Sequence, residues 1–323
     1  MNLKQGLREI FKPQFNGFFW SNLLGIGTIA ATKYLIFDNG PGIIIFSEFF
    51  VIPLLMGIIS GRFWRALRVS NKRLALYSLA NSLITIALSF IFLGEGVICL
   101  VIVSPLLFCF MFAGTMIGKD LHKKNNDTLN VSLVVLLAAV FVTDTISKHE
   151  YENKVSDTIV VNAPAAKVWQ NVVAFKRIEA PNRFWLFKIG LPSPVESTVT
   201  GYYKGAARKC IFSNNYVFDE VISTYDPAKD LTFDITGQPK DPEIMNHIAL
   251  IRGQFLLKDN GDGTTTLIGN SWYRLYVFPV WYYDIWAKSI VRNVHLRVMQ
   301  HIKELSEERP DNGTSPNTSR VSP

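Results

Sequence analysis

The stretch Asp157-Thr-Ile-Val-Val-Asn-Ala-Pro-Ala-Ala-Lys-Val-Trp169 decides how the second half of this chain folds. The residues after Asp157 are β-branched, which favours a strand. Asn162 can cap a helix that has Pro164 in its first turn, and apolar residues then recur at helical spacing. The stretch therefore predicts a strand followed at once by an amphipathic helix.

Further strands are predicted downstream, because apolar residues alternate there between turn signals. Val280–Ser306 has the apolar stripe of a long amphipathic helix, and an α+β order of this kind requires that helix to pack on the sheet. The polar residues 307–323 are expected to form a disordered tail. The predicted strands lie at about 206–212, 216–224, 231–236, 248–258 and 264–278.

Upstream of the stretch, residues 1–146 have the composition of a membrane region. A span needs about 20 apolar residues to cross ~30 Å of hydrocarbon, and five runs approach that length. Gly114-x-x-x-Gly118 also fits a motif of helix packing in membranes. We therefore expect a transmembrane region over 1–146 and a globular domain over 155–306. The predicted spans are 17–37, 42–60, 74–93, 97–117 and 128–145.

The loop charges predict the orientation of these spans. Eleven Lys and Arg residues lie before the first span, between the second and third, and between the fourth and fifth, whereas loops 38–41 and 94–96 contain none. Cytoplasmic loops carry the excess of positive charge, so the N-terminus is expected in the cytoplasm. With five spans the C-terminal domain is extracytoplasmic. If the run 128–145 only skims the surface, the domain moves to the cytoplasmic side.

Composition excludes several classes of function. Residues 1–145 have a net charge of +5 and the remainder only +2, without the clustered cations that nucleic-acid binding needs. The cysteines Cys99, Cys109 and Cys210 are too few and too dispersed for a disulfide framework or a metal cluster. We therefore expect no nucleic-acid partner, no metal and no cofactor.

The opening stretch, Trp272-Tyr273 and two longer segments resemble a known family. Together they are similar to START-like domains of the SRPBCC superfamily (polyketide cyclase/dehydrase-like), of the membrane-anchored bacterial type. The resemblance covers about residues 155–308. It implies a helix-grip fold, in which a curved antiparallel sheet surrounds a long C-terminal helix and an apolar cavity. The two segments are Gly205-Ala-Ala-Arg-Lys-Cys-Ile-Phe212 and Ile290-Val-Arg-Asn-Val-His-Leu-Arg-Val-Met-Gln-His-Ile-Lys303.

The predicted fold is thus an α-helical membrane region of about five spans followed by an α+β helix-grip (START-like) domain. If the sheet grips the helix, aromatic residues at inward positions would line the cavity and suit a hydrophobic ligand. An ordinary aromatic core would show the same pattern. The aromatic candidates are Phe212, Tyr216, Phe218, Trp272, Tyr276, Trp281 and Trp286.

Arg208 and Glu220 are charged candidates on the same inward face. A three-residue turn at 213–215 sets them opposite each other, as a buried ion pair or a ligand-binding pair. A two-residue turn at Asn214-Asn215 would instead pair Lys209 with Glu220. Both registers are chemically reasonable, and the first accounts better for the apolar neighbours of Arg208.

Histidines supply the remaining candidates. His301 lies within the apolar stripe of the terminal helix and is a candidate ligand contact, although inward histidines are often satisfied core residues. His247 follows the segment 237–246, which could cover the cavity. General acid/base work by His247 with Tyr273 is conceivable, but nothing in the sequence places a nucleophile or an orienting carboxylate beside them.

Three hypotheses of function follow. The first is a membrane-anchored binding module for a lipid or another hydrophobic small molecule, at the outer face of a bacterial inner (plasma) membrane. The second is a cyclase-, dehydratase- or isomerase-type enzyme acting on an apolar substrate. The third is a protein-interaction or sensory membrane protein whose cavity is only core. The superfamily has many activities, so the resemblance implies no particular one, and the sequence leans away from an enzyme.

Overall fold

The computed structural model describes residues 13–35, 50–121, 135, 139–140, 142, 150–240, 247–277 and 279–308. The predicted fifth span lies almost wholly outside these residues, as does most of the predicted tail. Within the described part, the first half of the chain forms a bundle of α-helices. These are α1 (Pro13–Leu35), α2 (Ile52–Trp64), α3 (Asn71–Leu88) and α4 (Val97–Leu121). One π-helical turn, Ser89–Leu93, extends α3.

Two helical segments of this bundle are long and apolar enough to cross a membrane: Asn71–Leu93 and Val97–Asp120. They coincide with the predicted third and fourth spans. The prediction of five spans therefore exceeds what the described helices provide. α1 contains Gln14, Asn16 and Asn22, which lower its apolar character, and α2 has only 13 residues.

Glycines bring α2 and α4 into backbone contact. A Cβ added to Gly57 would lie 2.1 Å from the carbonyl oxygen of Met111, and one added to Gly114 would lie 2.1 Å from that of Leu54. Only glycine allows such an approach, which is how small residues promote helix association in lipid. The Gly114-x-x-x-Gly118 motif is therefore a contact between helices, and Gly57 and Gly61 form its complement on α2.

A polar cluster centred on Asn81 occupies the middle of the bundle. Asn22 Nδ2 donates to Asn81 Oδ1 at 2.6 Å, and Asn81 Nδ2 donates to Ser60 Oγ at 3.1 Å. Thr85 Oγ1 donates to Asn22 Oδ1 at 2.8 Å. These side chains are buried and joined to one another across α1, α2 and α3, so their polar groups are not left unpaired in an apolar environment.

The second half of the chain forms one antiparallel sheet. Its strand order is β1-β7-β6-β5-β4-β3-β2, so β1 and β2 are its two edges. Consecutive strands from β2 to β7 are neighbours, while β1 pairs with the last strand. The strands are β1 (Tyr151–Val161), β2 (Pro194–Val199), β3 (Ala207–Phe212), β4 (Val217–Asp226), β5 (Asp230–Gly237), β6 (Ile248–Asp259) and β7 (Thr265–Leu275).

Among the described residues, three helices complete this domain: α5 (Ala165–Val173), α6 (Trp185–Lys188) and α7 (Val280–Glu307). α7 contacts both edge strands, through Lys303 Nζ donating to Val160 O in β1 at 2.7 Å and Arg297 Nε donating to Pro194 O in β2 at 3.1 Å. One helix can touch both edges of a seven-stranded sheet only if the sheet curves around it. The helix-grip architecture is therefore present.

The core lies between the concave face of the sheet and α7. Leu231 and Leu267 from the strands meet Met299 and Ile302 from α7, and all four are fully buried. The predicted strands and terminal helix match the observed ones to within a few residues. β2 was not predicted, and β1 begins six residues before Asp157, where the sequence is polar because the side chains are mostly exposed.

Candidate functional site

An apolar cavity, the junction cavity, lies where the helical bundle meets the helix-grip domain. It has a volume of about 150 Å³ and is partly open to solvent. All four bundle helices contribute to one side of it. On the other side are the ends of β6 and β7 and the first half of α7, with His247, Ile248, Leu275, Val277, Tyr283, Trp286, Ala287 and Ile290.

The two halves of the protein are joined beside this cavity. Ile98 and Ile102 of α4 pack against Leu186 of α6 and against Trp286 of α7. Tyr282 Oη donates a hydrogen bond to the carbonyl oxygen of Ile102 at 2.6 Å. The cavity walls are therefore fixed relative to each other by an apolar cluster and by a hydrogen bond.

Polar groups are few in the lining and lie at separate points. Thr85 comes from α3 and Ser89 from the π-helical turn after it, whereas Glu95 lies in the loop before α4 and His247 directly precedes β6. Through Thr85 the cavity adjoins the polar cluster around Asn81. A mostly apolar lining with a few polar groups is typical of sites for small organic ligands.

The cavity lies at one particular end of the bundle. Its lining comes from Ile29 in the second half of α1, from Ile52 at the start of α2, and from the end of α3 and the beginning of α4. Arg62, Arg65 and Lys119 lie at the other ends of these helices. The helix-grip domain thus contacts the bundle at the end that lacks Lys and Arg in its loops.

The structure places two of the sequence-predicted site residues, Trp286 and His247, in the cavity lining. The remaining aromatic candidates lie elsewhere. Phe212 and Phe218 are buried against each other with ring centroids 5.0 Å apart. Trp272 is half-buried, with Lys154 Nζ 4.6 Å from its ring centroid.

Other aromatic candidates are dispersed as well. Tyr276 packs against the cluster that includes Tyr273 and Leu275, while Trp281 is 67% exposed on the first turn of α7. Tyr216 ends the turn before β4, where its carbonyl accepts from Phe212 N at 2.8 Å. The sequence had suggested a lining from inward strand positions. Core side chains instead fill the space between the central strands and α7, and the cavity lies at the end of the helix-grip domain that faces the bundle.

Arg208 and Glu220 form a buried ion pair. The register places Arg208 opposite Glu220, with the three-residue turn at 213–215. Asn215 has a φ of 62°, as such turns require. Arg208 Nη1 bonds to Glu220 Oε2, Arg208 Nε donates to Val173 O at 3.1 Å, and the guanidinium lies 4.5 Å from the ring centroid of Phe233.

Burial dominates the electrostatics around this pair. It raises the pKa of Glu220, against the opposing charge and hydrogen bond of Arg208. Burial first, and the charge of Glu220 second, raise the pKa of the Cys210 thiol to about 12. The pair is enclosed by protein on all sides and lies outside the cavity lining, which favours a structural role for it.

His301 and Tyr273 are both held by protein groups. His301 Nε2 donates to the carbonyl oxygen of Lys176 at 2.9 Å. Tyr273 is fully buried, and its hydroxyl donates to Asp284 Oδ1 at 2.6 Å. Burial and this carboxylate raise the pKa of Tyr273. Burial acts to raise the pKa of Asp284 as well, but hydrogen bonds from Lys288, Tyr273 and Asn153 outweigh it and lower that pKa.

No group of three or more His, Cys, Asp or Glu side chains placed to hold a metal ion is found among the residues that the structure describes.

Comparisons with known proteins give likenesses in shape only. No family model matches the chain, and no curated protein matches it. Solved structures align with about half of it. One is truncated norcoclaurine synthase from Thalictrum flavum, at 9% identity over 51% of this chain and 99% of that one, with a TM-score of 0.36.

Two more examples are the ZhuI aromatase/cyclase from Streptomyces sp. R1128 and the protein Ara h 8.0201. The first has 12% identity over 49% of this chain and 94% of that one, with a TM-score of 0.34. The second has 13% identity over 48% and 98%, with a TM-score of 0.33. The strand order and the contacts of α7 with both edge strands are what identify the helix-grip architecture.

Proposed function

We propose that this protein is a membrane-anchored binding module that holds a hydrophobic small molecule or lipid in the junction cavity. The observation that carries the proposal is the origin of the cavity walls. Helices of membrane length, Asn71–Leu93 and Val97–Asp120, supply one side of it, and the helix-grip domain supplies the other. A ligand entering from the bilayer would avoid exposing its apolar surface to water, a cost of roughly 25 cal/mol per Å².

The place of the cavity along the bundle supports an extracytoplasmic site. The Lys- and Arg-rich loops mark the cytoplasmic ends of the helices under the positive-inside rule. The cavity and the helix-grip domain lie at the opposite end, beside loop 94–96. We therefore assign the ligand to the outer leaflet side of a bacterial inner membrane, with the N-terminus in the cytoplasm.

Exposed apolar side chains next to the junction support contact with lipid. Trp281 and Ile285 on α7 are 67% and 63% exposed, and Trp185 on α6 is 47% exposed. They lie beside Tyr282 and Trp286, which pack at the bundle. Tryptophan is enriched at membrane–water interfaces, so this surface suits the headgroup region of a bilayer.

A cyclase-, dehydratase- or isomerase-type enzyme is the second candidate, because His247 lines the cavity and could exchange a proton with a bound ligand. From the sequence, Tyr273 was the expected partner of His247 in acid/base chemistry. That hydroxyl is bonded to Asp284 and lies outside the lining, so the acid/base pair would need a different second member.

Native mass spectrometry of the full chain after mild detergent extraction tests the proposal. We expect a copurifying apolar molecule in the wild type. Ala287 is 6% exposed and lines the cavity, so Ala287→Trp should fill the space and remove the bound molecule. Ile285→Trp, on the exposed face of the same helix, is the matched control and should retain it.

The outcomes separate the three hypotheses. Equal ligand occupancy in Ala287→Trp and in the control would reject the cavity as the binding site. Wild-type protein that carries no apolar molecule under any mild extraction would favour the protein-interaction hypothesis. Conversion of the copurified molecule that is lost in His247→Ala would favour the enzyme.

A further inference from the structure

Three side chains far apart in the sequence form a hydrogen-bonded chain between the sheet and α7. Ser271 on β7 has its Oγ 2.7 Å from Nε2 of His295, which lies on α7. Nδ1 of the same imidazole lies 3.0 Å from Oδ2 of Asp157 on β1. One imidazole thus connects a hydroxyl on its first nitrogen to a carboxylate on its second.

This arrangement fixes the roles of the three groups. A carboxylate only accepts hydrogen bonds, so Nδ1 of His295 carries the proton and donates to Asp157. In the neutral imidazole, Nε2 is then the unprotonated nitrogen and accepts from the Ser271 hydroxyl. The same tautomer defines a serine nucleophile with its general base, a constellation that is recognised by geometry rather than by position in the sequence.

The three hydrogen-bonded residues differ in how deeply they are buried. The side chains of Asp157 and His295 are each 7% exposed, whereas Ser271 is half-buried. Arg292 Nε lies 3.3 Å from the other oxygen of Asp157 and compensates its charge. Ser271 is therefore the least buried residue of the three.

The surroundings of Ser271 are small or apolar. Its neighbour on β1 is Val155, and its neighbour on β6 is Gly253. The ring of Phe233 occupies the place where a side chain at Gly253 would stand. The three hydrogen-bonded side chains lie between two apolar clusters, one containing Met299 and the other Val291. An electrophile reaching this point would carry an apolar group.

The geometry points to Ser271 as a nucleophile for acyl transfer from carboxylic esters with an apolar acyl group, with His295 as its general base. Asp157 is a positioning residue that holds the imidazole in the required tautomer. This activity is proposed separately from ligand binding in the junction cavity. The cavity is lined by the first half of α7, whereas His295 lies near the middle of that helix.

The reaction balances with water as the second substrate. Ser271 Oγ forms a bond to the ester carbonyl carbon while its proton passes to His295 Nε2. The carbon–oxygen bond to the alcohol breaks, and the leaving alkoxide takes that proton. Water then attacks the acyl-serine, giving up a proton through His295, and the carboxylic acid leaves as Ser271 Oγ recovers its hydrogen.

The full chain in detergent micelles, treated with a fluorophosphonate probe, tests this assignment. The Ser271 oxygen should displace fluoride, and intact-mass and peptide mapping should find one adduct, at Ser271. Hydrolysis of p-nitrophenyl butyrate gives a second readout. General-base catalysis typically contributes 10²–10⁴-fold, so His295→Gln should slow both reactions by about that factor.

The controls separate nucleophilicity from folding. Ser271→Ala removes only an oxygen and should abolish the adduct and the hydrolysis. Ser289→Ala, at a half-buried serine on α7, should leave both unchanged. Asp157→Asn should lower kcat for the ester with little change in KM, which a merely structural role would not produce. Circular dichroism checks the fold of each variant.

An adduct confined to Ser271 that depends on His295 supports the assignment. The absence of any adduct on folded wild-type protein overturns it, and so does equal hydrolysis by the wild type and Ser271→Ala.

Discussion

Glu220→Gln should destabilise the helix-grip domain strongly, because it leaves the Arg208 guanidinium buried without its counter-charge. The two side chains are 2% and 5% exposed. Arg208 also keeps a hydrogen bond to Val173 O and its contact with Phe233, so it cannot move to water without breaking both. Removing one partner of a buried ion pair costs roughly 3–5 kcal/mol.

A neighbouring pair on the same two strands provides the comparison. Lys209 and Asp219 are opposite each other at 3.6 Å, but their side chains are 58% and 56% exposed. An exposed pair contributes about 0–1 kcal/mol. Asp219→Asn should therefore cost much less than Glu220→Gln, although the two substitutions are chemically alike and one residue apart.

The assay is thermal unfolding of the full chain in detergent, followed by far-ultraviolet circular dichroism. For a domain of this size 1 kcal/mol corresponds to roughly 2–4 °C in Tm. We expect Tm to fall by roughly 6–20 °C for Glu220→Gln and by at most about 4 °C for Asp219→Asn. A double variant, Arg208→Met with Glu220→Leu, should recover much of the loss. Equal, small shifts for both single variants would refute this account of the buried pair.

The remaining predictions concern other parts of the chain. Gly114→Leu should separate α2 from α4 and lower the temperature at which the protein aggregates in detergent. Gly27→Leu is the control and should not lower it, because a Cβ added at Gly27 has no atom within 4 Å. Equal effects of the two substitutions would contradict the packing argument. Cys210 should resist iodoacetamide at pH 8.5 in the folded protein and react on unfolding in urea, because the thiolate is the nucleophile. The raised pKa also makes stability fall as pH rises from the ordinary value of 9.0 to about 12, since only the unfolded chain then loses the thiol proton. A periplasmic reporter fused after Ser306 should be active; activity of a cytoplasmic reporter there would overturn the orientation.

Local sequence signals were enough to predict much of the helix-grip domain. The strand and helix of the opening stretch and the terminal helix follow from periodicity over short distances. Turn chemistry left two hairpin registers open, and the structure has the one that pairs Arg208 with Glu220. β2 was not predicted because its six residues include Pro194 and only two valines. It owes its strand conformation to pairing with β3.

The sites were harder to predict because they depend on distant parts of the chain. Trp286 and His247 could be singled out as aromatic and titratable residues, but their common cavity exists only where the bundle meets the domain. Asp157, Ser271 and His295 come from three separate elements, and no sequence spacing links them. The Asn81 cluster likewise joins α1, α2 and α3 through single polar residues within apolar runs.

The position of β1 has a consequence for synthesis. β1 is the first strand to be made, yet its partner is β7, the last one, through pairs such as Tyr151 with Leu275. At ribosomal rates of about 5–20 residues per second, roughly a hundred residues must follow before that partner exists, a delay on the order of 5–20 s. During that time β1 has no partner strand and exposes its unpaired backbone groups. A newborn chain stalled before β7 is therefore the form most vulnerable to proteases and to pairing with another copy.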